Sequence, residues 1–300
     1  MKVLLCGDMA ADEWRVWRDA LAYAMPEALW LDREAALALP QEVQAAVVAN
    51  PPPGSLQGLP RLRLVQSLWA GVDRLLADPS VPDHVPLARM VDPAMTAAMA
   101  ETALWAVLSL HRGYFAYARR QREVRWQVHA QPRADEVGVL VLGQGQMGRA
   151  VTTRLKHQGY CVRGWRRDGA ALPPLLAQSK IVVNLLPLTD DTRGLLDARF
   201  FAALPKGAGV VNLARGAHLV DADLLAALKR GHLCHAVLDV FHTEPLPPQH
   251  KFWRHPRVTV LPHAAALTDP RSAAAVAAAN LRALRDGGAL AHLVDRQRGY

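Results

Sequence analysis

The sequence is poor in cysteine and in long apolar runs, and each shortage excludes a class of protein. The three cysteines stand far apart at positions 6, 161 and 234, which predicts buried free thiols and no disulfide framework or metal site. No unbroken stretch of 18 apolar residues occurs, so we expect no membrane-spanning helix and no membrane partner. The first apolar run meets Asp8 too early for a signal peptide, which predicts a cytoplasmic protein.

Lysine is also scarce, with six residues, although the formal net charge is +8. The positive charge is therefore carried mainly by arginines, which are spread along the chain. The densest basic cluster, residues 119–126 (RRQREVRW), is not accompanied by a nucleic-acid recognition motif. The charge predicts a solvated basic surface that favours small anionic ligands, and no nucleic-acid partner.

Short apolar runs alternate with helical stretches along most of the chain, a rhythm typical of parallel sheets covered by helices. An Ala-rich run over 93–126 predicts one long helix that links two parts. In the second part, strands are predicted near 138–142, 160–165, 180–186, 208–213, 234–239 and 257–261, and helices near 146–158, 194–203, 221–230 and 268–286. The predicted fold class is α/β, with two doubly wound, Rossmann-like domains.

Three glycines in the segment GQGQMG stand between an apolar strand and an amphipathic helix. At such a turn Gly143 permits a tight bend, Gly145 lets a pyrophosphate approach the backbone, and Gly148 lets the helix pack on the strand. Phosphate would then lie at the N-terminus of the helix. The pattern predicts a dinucleotide site, with a ligand-free strand–helix turn as the alternative.

The next strand ends at Arg166 and Arg167, where an NAD enzyme normally carries an acidic residue that binds the ribose hydroxyls. Asp168 stands a residue or two too late for that role. Guanidinium groups match a 2′-phosphate, so the sequence favours NADPH over NADH. The alternative is a pair of solvated arginines.

Arg215, Glu244 and His263 each follow an apolar strand. Because the carboxyl ends of parallel strands meet at one crevice, all three side chains can reach one place. There a guanidinium can bind a substrate carboxylate, and a histidine paired with a carboxylate can exchange a hydroxyl proton during hydride transfer. Taken singly, the three could be a surface arginine, a turn glutamate and a core histidine.

The motifs around these residues resemble a known family. NLARG, DVFHTEPLP and LPHAA are similar to the Arg, Glu and His signatures of the D-isomer-specific 2-hydroxyacid dehydrogenases. SLWAGVDRLL resembles the substrate loop of that family, and the ending VDRQRGY is similar to that of its glyoxylate/hydroxypyruvate reductase A branch. The resemblance covers nearly the whole chain.

The resemblance implies a homodimer with a flavodoxin-like substrate domain over 1–100 and 270–300, and an NAD(P)-binding domain over 101–269 that begins with the linking helix. It implies substrate binding by the loop of Trp69, Ala70, Gly71 and Val72. Asp239 would hold the nicotinamide carboxamide. With the glycines and the two arginines, the remaining implied cofactor-binding residues are Gln146, Met147, Leu186, Pro187, Thr192, Leu213, Ala214 and Ala265.

The chain departs from the family between the second strand of the dinucleotide domain and the next apolar run. Only residues 166–180 lie there, enough for one crossover, which needs roughly 10–12 residues, but hardly for an additional strand and helix. Gly169, Pro173 and Pro174 predict a loop and then a short helix near 173–179. We expect no strand in this segment.

The sequence as a whole predicts an enzyme that uses NADPH to reduce small 2-oxo acids, with glyoxylate and hydroxypyruvate implied by the resemblance. His263 would supply the proton. Two alternatives remain open, a dehydrogenase of a bulkier 2-keto acid and a non-catalytic dinucleotide-sensing protein on the same scaffold.

Overall fold

The structure is a computed structural model, and it describes residues 1–167 and 169–300, so that Asp168 lies outside the described residues. The strands are β1 Lys2–Gly7, β2 Leu29–Leu31, β3 Val43–Ala49, β4 Leu64–Ser67, β5 Leu87–Ala88, β6 Gly138–Leu142, β7 Cys161–Trp165, β8 Ile181–Asn184, β9 Ala208–Asn212, β10 Leu233–Leu238 and β11 Val258–Val260. The helices are α1 Ala11–Ala24, α2 Arg33–Ala38, α3 Asp73–Leu76, α4 Pro93–His111, α5 Tyr114–Arg122, α6 Gln146–His157, α7 Leu172–Leu176, α8 Ala198–Ala202, α9 Asp221–Lys229 and α10 Pro270–Asp286.

The chain forms two compact units, and each contains one parallel sheet. The first unit is Met1–Met95 with Thr268–Tyr300, and its strand order is β2-β1-β3-β4-β5, the flavodoxin-like order. The second unit is Thr96–Leu267, with the order β11-β10-β9-β8-β6-β7. The predicted α/β fold with two Rossmann-like sheets is confirmed. The assignment of substrate and cofactor roles to the predicted domains stays a prediction.

Strand β7 is the edge of the second sheet, as the short segment after it predicted. Within its described part, 166–167 and 169–180, the only regular element is the five-residue helix α7. A dinucleotide-binding sheet with the order 3-2-1-4-5-6 would carry one more strand beyond this edge. Here the crossover is too short to form it.

The predicted long helix over 93–126 is wrong, because the chain breaks between α4 and α5. Gly113 adopts a φ of 73°, in the left-handed region that ends helices. A Cβ atom at this position would lie 2.2 Å from the ring of His129, so the break also depends on the absence of a side chain. The turn therefore separates α4 from α5.

Helix α4 is long and apolar enough to cross a membrane by length and composition, with a mean hydropathy of 1.2 over 18 residues. Its small side chains instead pack into the core of the second unit. Ala103, Ala106 and Val107 are fully buried there against apolar residues of the sheet, among them Val139 and Val211. This packing is that of a helix that covers one face of a parallel sheet.

The prediction of buried thiols is wrong for two of the three cysteines. Cys6 is half-buried, but Cys161 and Cys234 are exposed. Cys161 opens the edge strand β7, which has a sheet neighbour on one side alone. Cys234 is the single exposed position of β10, whose other residues are buried.

The turn from β6 to α6 uses its glycines in different ways. A Cβ atom at Gly143, where φ is 90°, would lie 2.6 Å from the carbonyl oxygen of Leu185, and one at Gly148 would lie 1.9 Å from that of Gly143. Gly145 has an ordinary φ of −69°, and a Cβ there would meet nothing within 4 Å. Gly143 and Gly148 are required by the packing, whereas Gly145 faces open space.

We therefore expect Gly148→Ala to lower the free energy of unfolding by about 1–3 kcal/mol, since the backbone must move to accept the methyl group. Gly145→Ala should leave the stability unchanged or slightly higher, because alanine tolerates its backbone angles. Chemical denaturation of the two variants beside the wild type measures the difference. Equal losses in both variants would contradict this account of the turn.

Candidate active site

Three neighbouring strands of the second unit end level with one another, and this alignment sets the geometry of the candidate site. Asn212, Leu238 and Val260, the last residues of β9, β10 and β11, are partners in the parallel register. The loops that follow carry Arg215, Glu244 and His263. Side chains on these loops start from the same edge of the sheet, as the sequence predicted for its three candidate catalytic residues.

His263 and Glu244 form a direct pair, with 2.7 Å between Nδ1 and Oε2. The other carboxylate oxygen of Glu244 accepts a hydrogen bond of 2.8 Å from the amide of Phe241. Because an ionised carboxylate can only accept, the pair places the proton of the ring on Nδ1. It leaves Nε2 as the atom that can give or take a proton elsewhere.

Burial raises the pKa of the Glu244 carboxyl, but four interactions more than reverse the effect. The hydrogen bonds from His263 and the Phe241 amide lower this pKa, as do the charges of His263 and Arg215, and the net pKa lies below its usual value. Glu244 is therefore a carboxylate at neutral pH. The influence of Arg215 also shows that its guanidinium lies within electrostatic reach of the pair.

Arg215 is held by its own turn. Its Nη1 donates to the carbonyl oxygen of Ala214 at 2.7 Å, and its own carbonyl accepts from the Asn212 side chain at 3.0 Å. The next residue, Gly216, is buried, and a Cβ there would lie 1.9 Å from the carbonyl carbon of Phe241. Gly216 thus lets the arginine turn approach the loop that carries Glu244.

The buried carboxylate of Asp239 fixes the backbone around His263. Its two oxygens accept from the amides of Ala264 and Ala265 at 2.7 and 3.0 Å, and its carbonyl accepts from the amide of His263. His263 has a φ of 54°, a left-handed conformation that is strained for a residue with a side chain. Burial raises the pKa of Asp239, and the amides of Ala265 and Ala264 oppose that effect.

Two buried asparagines that the sequence analysis did not single out organise the neighbouring loops. Asn184 donates to the side-chain oxygen of Asn212 at 3.0 Å, across the ends of β8 and β9. The side-chain oxygen of Asn184 accepts from the amide of Leu186, and that of Asn212 from the amide of Ala214. A polar residue that ends an apolar strand, as in VVNLLP and VVNLAR, was the available signal.

The predicted substrate loop of Trp69, Ala70, Gly71 and Val72 follows β4 in the first unit. The amide of Trp69 donates to the hydroxyl of Ser67 at 3.0 Å, so this amide already has a partner. The Trp69 ring packs edge-on against the buried ring of Trp17, with 6.0 Å between centroids. The loop is therefore anchored at its start, and its role toward a substrate stays a prediction.

The residues predicted to line a cofactor have different surroundings. Gly145 and Gln146 are exposed and Met147 is half-buried at the start of α6. The hydroxyl of Thr192 donates to the carbonyl oxygen of Pro187 at 2.8 Å, so this side chain closes its own loop. Four further predicted residues are buried, namely Leu186, Leu213, Ala214 and Ala265.

The two arginines after β7 do not share one environment. Arg166 lines a cavity at the end of the strand. The guanidinium of Arg167 instead forms an ion pair with Asp191. A fork in which both arginines bind one phosphate is thus not preformed.

The turn at Gly145 fits a dinucleotide. The absence of any atom within 4 Å of a Cβ at this position leaves room for a ligand against the backbone. Behind it, the close contact between Gly148 and Gly143 holds the N-terminus of α6 next to the end of β6. A helix N-terminus presented in this way favours a phosphate group.

Comparison with known proteins places this architecture among solved relatives. The family model for the D-isomer specific 2-hydroxyacid dehydrogenase, NAD binding domain, matches residues 104–265. Among curated proteins, the glyoxylate/hydroxypyruvate reductase A of Serratia proteamaculans is 40% identical over 272 residues, which is 85% of this chain and 87% of the relative.

Two solved structures are similar over nearly their whole length. A D-isomer specific 2-hydroxyacid dehydrogenase from Xanthobacter autotrophicus Py2, in complex with NADPH and MES, has a TM-score of 0.92 at 40% identity, with 99% of each chain covered. An NADPH-dependent glyoxylate/hydroxypyruvate reductase from Sinorhizobium meliloti, in complex with NADP and sulfate, has a TM-score of 0.91 at 33% identity. The match covers 100% of this chain and 99% of that one.

The lowered pKa of Glu244 makes its pairing with His263 dependent on pH. A carboxylate whose pKa is lower in the folded state stabilises the fold above its unfolded pKa, and this contribution is lost as the pH falls through the folded pKa. We expect Glu244→Gln to be less stable than the wild type at pH 7, by up to about 1 kcal/mol since both groups are partly exposed. The difference should shrink below about pH 4.5.

Thermal unfolding of both proteins between pH 3 and pH 7 tests this expectation. A difference in melting temperature that stays constant down to pH 3 would show that the ionisation of Glu244 is not its source.

Proposed function

This chain belongs to the D-isomer-specific 2-hydroxyacid dehydrogenase family, in its glyoxylate/hydroxypyruvate reductase A branch, and from that premise we propose that it reduces glyoxylate and hydroxypyruvate with NADPH. It is an NAD(P)-dependent 2-hydroxyacid dehydrogenase. The finer assignment rests above all on the 2.7 Å pair of His263 and Glu244, with the charge of Arg215 in reach. We expect the enzyme to act in the cytoplasm.

In the proposed reaction Arg215 binds the carboxylate of the 2-oxo acid and orients its carbonyl group. His263, protonated on both ring nitrogens, donates from Nε2 to the carbonyl oxygen and stays hydrogen-bonded to Glu244 through Nδ1. A dinucleotide held at the turn of Gly143, Gly145 and Gly148 would supply the hydride for the carbonyl carbon. Glu244 stabilises the imidazolium before the proton leaves and holds the ring in one orientation.

We propose a different binding role for each of the two units. The second unit would hold the dinucleotide through the turn at Gly143, Gly145 and Gly148, with Asp239 near the nicotinamide. The first unit would supply the amides of Ala70 and Gly71 to the substrate carboxylate. The ring of Trp69 packs against that of Trp17, which restricts its movement. A bulky side chain fixed in this way would limit the pocket to small substrates.

The choice of NADPH is supported by the basic cavity after β7, which includes Arg166 and no acidic residue among its described lining. An acid that binds both ribose hydroxyls would select NADH instead. The relatives from Xanthobacter autotrophicus and Sinorhizobium meliloti, described in complex with NADPH and NADP, agree with this choice.

We expect the wild type to oxidise NADPH with glyoxylate or hydroxypyruvate faster than with larger 2-oxo acids. His263→Ala should lower kcat by about 10²–10⁴-fold, the usual contribution of a general acid, while the Kd for NADPH changes little. His157→Ala, an exposed histidine at the end of α6, serves as the matched control. Absorbance at the NADPH band and direct cofactor titration measure the two quantities.

Fast turnover of bulky 2-oxo acids alone would favour a dehydrogenase with a larger substrate. Cofactor binding without turnover of any 2-oxo acid would favour a dinucleotide sensor.

A second copy of this chain is the proposed partner for an apolar surface of the second unit. Trp126 is fully exposed and stands between Val124 and Val128, which are 93% and 78% exposed. Tyr114 and Trp105 add further exposed apolar area along α4 and α5. Exposed apolar clusters of this kind mark protein–protein contacts, and a homodimer agrees with the resemblance to the family.

We therefore expect Trp126→Glu to shift the protein from dimer to monomer, because the charge would be buried in the interface. Tyr23→Glu, which changes an equally exposed aromatic residue of α1, should leave the dimer intact. Light scattering during size-exclusion chromatography measures the mass. A wild type that is monomeric at micromolar concentration, or a Trp126→Glu variant that remains dimeric, would contradict this interface.

A further inference from the structure

A cavity of about 290 Å³ lies at the carboxyl ends of β6 and β7, beside the first turn of α6. Its lining includes Arg149 and Arg166, and the described lining residues carry no negative charge. Since one water occupies about 30 Å³ of the liquid, the cavity has room for a phosphate group and adjoining atoms. Two guanidiniums at a small concave site favour a ligand with a dianionic group.

The two guanidiniums come from separate elements. Arg149 stands one turn into α6, where its amide donates to the carbonyl oxygen of Gly145 at 3.0 Å. Arg166 begins the loop after β7, which is tied back by the bond of 2.8 Å from the Trp165 indole to the carbonyl oxygen of Ala170. The position of Arg149 is therefore fixed by a helix and does not depend on the loop.

The neutral amide side chain of Gln144, from the glycine turn after β6, lines the floor of the cavity. Gln144 donates to the carbonyl oxygens of Val141 and Gly143 at 3.2 and 3.1 Å. Its side chain lies directly on Gly164 of β7, where a Cβ atom would come within 2.3 Å of Cδ. Gly164 thus makes room for a neutral side chain that does not repel an anion.

Arg167 has different surroundings from Arg166, although the sequence predicted the same phosphate-binding role for both. Its guanidinium pairs with Asp191 and is not part of the cavity lining. Arg149, in contrast, is exposed, and the described part of the chain offers its side chain no hydrogen bond or ion pair. To bind Arg167, a phosphate would have to displace Asp191 from its ion pair. To bind Arg149, it would not have to displace a side chain of the described residues.

We propose that Arg149 is a specificity-determining residue that, together with Arg166, binds the 2′-phosphate of NADPH in this cavity, and that Arg167 is not. The inference rests on the proposed use of NADPH. It assigns the selection of the phosphorylated cofactor to helix α6 as well as to the end of β7.

Calorimetric titration of wild type, Arg149→Ala, Arg167→Ala and the control Arg154→Ala tests the assignment without relying on turnover. Arg154 is an exposed arginine on the same helix that does not line the cavity. The ligands are NADPH, NADH, adenosine 2′,5′-bisphosphate and 5′-AMP. A thermal melt of each variant checks that it is folded, as expected for exposed side chains.

For Arg149→Ala we expect the Kd of NADPH and of the bisphosphate to rise about tenfold or more, because a charge-assisted hydrogen bond is lost. The Kd of NADH and of 5′-AMP should stay within about twofold in that variant. Arg154→Ala and Arg167→Ala should change all four values by less than about twofold.

An Arg149→Ala variant that still prefers NADPH as strongly as the wild type would overturn this inference alone. A selective loss of NADPH affinity in Arg167→Ala would overturn the exclusion of Arg167. A wild type that binds NADH as tightly as NADPH would contradict the proposed cofactor itself, before any variant is compared.

Discussion

The candidate site depends on one buried carboxylate, that of Asp239. It directly follows β10, and through its side chain and its carbonyl it accepts hydrogen bonds from three successive amides of the chain that leaves β11. These bonds hold His263 at a φ of 54°, a conformation that costs about 1–3 kcal/mol. The direction of the imidazole, and with it the contact to Glu244, follows from this backbone.

Other residues of the site also fix the loops that follow the strands at the carboxyl end of the sheet. Asn184 and Asn212 each accept from one amide of the loop that follows their strand, that of Leu186 after β8 and that of Ala214 after β9. Gly216 removes a side chain where the arginine turn meets the chain at Phe241. These hydrogen bonds and close backbone contacts therefore position the loops of Arg215, Glu244 and His263 before any ligand binds.

The sequence predicted the features that depend on the order of apolar and polar residues and on the lengths of the segments between them. Alternating apolar runs gave the two parallel sheets, the level strand ends brought His263 to Glu244, and the short segment after Arg167 forbade another strand in its described part. It did not predict features that depend on contacts between distant residues. The break at Gly113 involves His129, and the pairing of Arg167 with Asp191 could not be read from either residue alone.

The lost strand beyond β7 has consequences for both stability and specificity. An edge strand exposes unpaired backbone groups, and Arg163, an exposed cation in the middle of β7, discourages pairing with another chain. The positions directly after β7, where a ribose-binding acid would stand in an NAD site, are occupied by Arg166 and Arg167. The proposed phosphate site must then be assembled from what remains at this edge, which is the floor of Gln144, the loop of Arg166 and the first turns of α6. Because α6 also carries the glycine turn, a helix that is fixed by packing at Gly148 can position Arg149 with the precision that a longer loop would lack.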